Sequence, residues 1–129
     1  MTTWADVHAY LRSKYTIADE GQGYLALNFV TEGDRTQRVL VDFELGRNNA
    51  EWICISSGIG KVGEVDLEKA LEIVNNRIFG AIGRRGDVYI VKHSAPLADM
   101  NGPELETPML LAVNVADEIE AALGLGDTY

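Results

Sequence analysis

Gly58-Ile59-Gly60-Lys61-Val62-Gly63 spells a GxGxxG pattern, which in dinucleotide folds lets backbone approach a pyrophosphate while a helix N-terminus faces it. Here the helix cap falls three residues later, at Asp66, and sets a carboxylate where the phosphate should sit. The runs before the pattern read as an antiparallel meander, and too few residues remain for a doubly wound sheet. The glycines are expected to form a flexible strand-to-helix loop. A small nucleotide-binding protein using Gly58, Gly60 and Gly63, with Lys61 as the phosphate contact, is the rival reading. His93, Ser94 and Asp99 supply the residue types of a hydrolytic set, but neighbours on a strand point to opposite faces and no nucleophile elbow surrounds the serine. Cys54 is the only cysteine. It excludes an intramolecular disulfide, has no neighbouring activator and reads as a small sheet residue. Two histidines, His8 and His93, make an unconvincing metal site. Arg85-Gly86-Asp87 reads as a hairpin turn. No catalytic residue, cofactor or metal ligand is expected.

The elements that would position these residues follow from hydrophobic period. Thr3 with Asp6 resembles a capping box, and Trp4, Val7, Tyr10 and Leu11 recur at helical spacing, so a first helix is expected to run to about Lys14. From Tyr24 the period becomes two: Leu25, Leu27 and Phe29 share one face, as do Val39, Val41, Phe43 and Leu45 in the next run. Glu32-Gly33-Asp34 supplies the turn between them, and a third strand with Ile53 and Ile55 on one face follows Arg47-Asn48-Asn49. Asp66 caps a second helix whose Leu67, Ala70, Leu71 and Val74 line one face, ending near Asn75-Asn76. Residues 78–83 and 87–93 flank Arg84-Arg85-Gly86 as a better-buried hairpin. A third helix starts at Pro103 or at Thr107 with Pro108 in its first turn, and ends before Gly124. Leu110, Leu111 and Val115 lie off its main stripe, which calls for a second packing surface, either the protein's own sheet or another subunit.

The meander's second face carries Tyr24, Ala26, Leu40, Trp52 and Cys54, neither polar nor fully apolar. Either another element of the molecule covers it, or it is a partner-binding surface with Tyr24, Leu40 and Trp52 as its anchors.

The chain has 129 residues, 47% of them apolar and 24% charged, which fits one domain over 1–129 with a single core. No apolar run approaches the roughly 20 residues of a membrane helix, no basic-then-apolar leader opens the chain, and a cytoplasmic location is expected. Eleven Lys and Arg against twenty Asp and Glu give a net charge of −9, which opposes binding to nucleic acid or an anionic membrane surface. Beyond Lys92 the charges are all acidic, and they read as a solvated helix face. Arg77, Arg84, Arg85 and Lys92 form a weak anion patch beside the hairpin.

The order helix, three-stranded meander, helix, hairpin, helix resembles the type III secretion chaperone fold and its relative, the YbjN-like family. Leu71-Glu72-Ile73-Val74-Asn75-Asn76-Arg77-Ile78 looks like that family's helix end, and Arg84-Arg85-Gly86-Asp87-Val88-Tyr89-Ile90 like its turn and second strand. Ala95-Pro96-Leu97-Ala98-Asp99-Met100, Glu104-Leu105 and Val113-Asn114-Val115-Ala116-Asp117-Glu118-Ile119 are similar to its closing pattern. Residues 51 to 123 carry the likeness; the first fifty share only the order of elements, and the Gly58-to-Gly63 loop and Pro108 depart from the chaperones. The resemblance implies an α+β domain with one curved antiparallel sheet and flanking helices. It further implies a non-enzymatic homodimer that holds a peptide segment of another protein. A bacterial regulator in signalling, as for the YbjN-like relatives, is the nearer variant of that idea.

Overall fold

A computed structural model describes residues 3–77, 80–98 and 100–125 of the chain. Helix α1 (Trp4–Lys14) begins where the Thr3 hydroxyl accepts the Asp6 N–H at 3.2 Å, the cap its sequence calls for. Strands β1 (Asp19–Gly21), β2 (Tyr24–Val30), β3 (Thr36–Leu45) and β4 (Glu51–Lys61) follow. Helix α2 (Leu67–Asn75) is capped by the Asp66 carboxylate, which accepts from the Lys69 N–H. Strands β5 (Ala81–Arg85) and β6 (Val88–Pro96) form a hairpin across Gly86-Asp87. Gly86 sits at φ +60, as a two-residue hairpin loop requires. Helix α3 (Gly102–Ala122) closes the described chain.

The six strands make one antiparallel sheet in the order β1-β2-β3-β4-β6-β5. This is the α+β fold read from the period changes, with meander and hairpin joined by the pairing of β4 with β6. Strand β1 escaped that reading because Asp19-Glu20-Gly21 is short and wholly exposed, with no alternation to betray it. The hairpin's first expected residues, Ile78 and Phe79, lie outside the described residues, as does Asp99.

One face of the sheet carries the core. Leu25, Leu27, Val39, Val41, Ile53, Ile55 and Val91 are buried there against Val7 and Leu11 of α1, Ala70 and Val74 of α2, and Leu105, Met109, Ala112, Val113, Ala116 and Ile119 of α3. The second packing surface demanded by α3 lies within the molecule: Val115 is buried and Leu111 packs against the core, while Leu110 remains exposed. Helix α3 begins earlier than Thr107. Asn101 and Glu104 form a reciprocal capping box across Pro103, and Pro108 falls inside the helix.

Glu106 fastens α3 to α1. It accepts from the Tyr10 hydroxyl at 2.5 Å and the Tyr15 hydroxyl at 2.6 Å, with the Lys14 ammonium at 3.3 Å. These donors hold the Glu106 carboxyl below its ordinary range, Tyr10 contributing most. Burial, then the bond to Glu106, pushes Tyr15 up to about 12.

Two expectations are corrected. The acidic tail of the sequence is not a solvated face throughout: Glu120 is fully buried and Asp117 nearly so. The Arg35 guanidinium lies 2.8 Å from Asp117 and 3.7 Å from Glu120, because buried carboxylates need a cation brought to them. Gly58 to Lys61 likewise belong to β4 rather than to a loop. Gly58 pairs with Ile90 and Gly60 with Tyr89, and the register shift between them is a bulge.

Candidate functional site

All three helices pack on the core face, so the opposite face of the sheet is left open among the described residues. Strand register fixes its composition. Ala26 of β2, Leu40 of β3, Ser56 of β4 and Lys92 of β6 form one row across the sheet. Tyr24, Asp42, Cys54 and Ser94 form the next row toward one end. Toward the other end stand Asn28, Arg38, Gly58, Ile90 and Gly83.

Small residues at Ala26, Ser56 and Gly58 leave a low floor between taller neighbours. The result is a depression of about 250 Å³ lined by Tyr24, Ala26, Leu40, Ser56 and Ile90, with Arg38 and Arg85 among its charged residues. Asp19 of β1 and Arg85 of β5, from the two opposite edges of the sheet, line the same depression. The sheet is therefore bent into a trough with the open face concave, in keeping with the β4 bulge.

Tyr24 and Leu40, both expected as anchors, meet at this depression. The Tyr24 hydroxyl lies 3.4 Å from an Asp19 carboxylate oxygen. Trp52 lies on the same face but pairs with Glu44 and Pro96 near the strand ends, away from the depression and against Gly46. The three anchors are thus not one cluster. Alternation assigns a face but does not give the bend, and so does not separate Trp52 from the other two. Arg38, Arg85, Val88 and Ile90 were missed as site residues. The signal lay in the apolar positions on both faces of 88–91 and in the anion patch that includes Arg85.

Electrostatics single out two polar groups in the trough. Arg85 donates to the Ser56 hydroxyl at 2.8 Å and approaches Asp42 at 4.0 Å. Asp42 keeps one carboxylate oxygen buried without a hydrogen-bond partner. Its pKa is raised by burial, an effect the Arg85 charge only offsets. Cys54, opposite Asp42, is buried, and burial pushes its thiol up, which makes it a poor nucleophile.

The remaining candidates stay apart. Ser94 faces the trough opposite Cys54, whereas His93 pairs with Ile55 and belongs to the other face. His8 lies 2.9 Å from Glu20 and stacks on Trp4. The backbone of Gly58 and Gly60 is engaged in the sheet, and the nearest helix start is capped by Asp66. Among the described residues, no three or more His, Cys, Asp or Glu side chains are grouped so that they could hold a metal ion, and no helix is long and apolar enough to cross a membrane. No protein-family model matches the chain, and no curated protein matches it in sequence.

Proposed function

We propose that the protein is a non-catalytic binding module of chaperone type, a homodimer that holds an extended peptide segment of another protein in the trough. The observation that supports this reading is the concave sheet face, where half-buried Tyr24 and Leu40 present apolar surface beside buried Ile90 and no helix of the described chain covers them. An extended segment suits such a surface, because its alternate side chains can enter the depression while its backbone runs along the sheet. Among the described residues the trough shows no mutually supporting nucleophile, base and orienting group of the kind that catalysis by side chains demands: burial pushes the Cys54 thiol up, and His93 and Ser94 face apart. A role in bacterial signalling, as for the YbjN-like relatives, would use the same surface.

Two measurements test the proposal. Selection of displayed random peptides on immobilised protein should yield binders that compete with one another and are lost in Leu40→Glu, with unchanged circular dichroism. Light scattering should give twice the 14.1 kDa chain mass. A monomer that selects no peptide would end this reading.

A further inference from the structure

Resting on the peptide-holding reading, we infer that the held segment is acidic: an aliphatic or aromatic side chain fills the depression over Leu40 and Ser56 while flanking carboxylates meet Arg38 and Arg85. The size of the depression supports the first half. About 250 Å³ falls below the roughly 300–1,000 Å³ of cavities that enclose drug-sized ligands, and it suits a side chain entering from an extended backbone. Charge supports the second half. Acids outnumber bases twenty to eleven in this chain, and three of its guanidinium groups outside the trough are matched to them, Arg12 with Glu20, Arg35 with Asp117 and Arg77 with Glu118, while Arg84 bonds the Gly86 carbonyl. The two arginines of the trough are matched less closely. Arg38 donates to the Asn28 side-chain oxygen at 3.1 Å and has no acidic partner among the described residues. Arg85 spends its hydrogen bond on a neutral hydroxyl and stays 4.0 Å from its nearest carboxylate.

Guanidinium forks favour carboxylates, which they bind through paired, charge-assisted hydrogen bonds, and they do so best beside an apolar surface that thins the water. Asp19, the acid among the described lining residues, sits on the edge strand opposite Arg85 and faces the Tyr24 hydroxyl. In an extended segment, residues two apart point the same way about 7 Å from each other, so a carboxylate on either side of the inserted side chain reaches outward from one depression.

The test uses three blocked, dye-labelled peptides, Glu-Thr-Leu-Thr-Glu and its Gln-Thr-Leu-Thr-Gln and Lys-Thr-Leu-Thr-Lys counterparts. Binding is read by anisotropy and by amide shifts around Leu40 and Ser56. The Glu peptide should bind at least about tenfold more tightly than the Gln peptide, the worth of one charge-assisted hydrogen bond. Arg38→Gln and Arg85→Gln should each erase most of that preference, and Arg38→Lys should restore part of it. If the Gln or Lys peptide binds as well as the Glu peptide while shifting the same amides, acidic selection is overturned and the peptide-holding reading survives. If the Glu peptide binds but ignores both arginine variants, it binds elsewhere and the inference falls. If none of the three peptides moves these amides, the inference and the reading beneath it fall together.

Discussion

The Arg85 side chain, on edge strand β5, reaches past β6 to donate to the Ser56 hydroxyl of β4 at 2.8 Å. In a flat sheet, two strand spacings alone separate such residues by about 10 Å, and Arg85 is also displaced along the strand, since it pairs with Val88 while Ser56 pairs with Lys92. The bond is possible because the sheet curls. Arg85→Gln should therefore cost modest stability, about 0.5–1 kcal/mol for a half-exposed hydrogen bond, and should speed amide exchange selectively along Ala81–Arg85. Native-state hydrogen exchange checks this; uniform acceleration across the sheet would contradict a local role.

The Glu106 link between α1 and α3 predicts acid sensitivity. Its folded pKa lies below the ordinary 4.5 because the Tyr10 hydroxyl, then the Tyr15 hydroxyl, bond to the carboxylate. A group shifted downward contributes stability that is complete above the unfolded value and disappears as pH falls through the folded one. The melting temperature should fall below about pH 4.5, and Glu106→Gln should be less stable at pH 7 and show a shallower acid slope. Parallel slopes for the two proteins would contradict this.

Tyr15 predicts the alkaline limb. With its pKa raised to about 12 by burial and the bond to Glu106, its contribution is present below its ordinary value of 10.0 and lost as pH rises toward 12. Tyrosinate absorbance should show a late-titrating component that shrinks in Tyr15→Phe, the remainder belonging to Tyr10, which its bond to Glu106 also raises.

Removal of Arg35 should be far more damaging than its surface location suggests. Its guanidinium serves Asp117 and the fully buried Glu120, and leaving such carboxylates without their cation costs about 3–5 kcal/mol. Arg35→Ala measured by urea unfolding should lose that much at pH 7. A loss below about 1 kcal/mol would show that the pair is solvated and that the site behaves as an ordinary surface bridge.

Asp42 makes the opposite prediction. Burial raises its pKa, so the folded state favours the protonated form, and the charged form present at neutral pH works against folding. Asp42→Asn should melt higher than the wild type at pH 7, with the gap closing as pH falls through the carboxylate range.

Much of this architecture can be read in the residues themselves. Alternation in 24–29 and 39–45 gives both strands and their faces, and Thr3 and Asp66 give two helix starts. What stays hidden needs three dimensions. The partner of Glu120 stands on a turn 85 positions away, and no periodicity encodes that distance. The bend of the sheet goes with a bulge in β4 between Gly58 and Gly60, and those same glycines first suggest a phosphate loop. Trp52, Tyr24 and Leu40 share a face by parity, yet only the bend decides which of them share a pocket.

The trough's two rims are unequally secured. Strand β5 pairs with β6 over its full length and is latched by Arg85, whereas β1 holds to β2 through three exposed residues, Asp19 to Gly21. Local opening takes the least secured segment first, so the β1 rim is expected to open before the β5 rim, with the Glu20 contacts to His8 and Arg12 of α1 as its remaining tether.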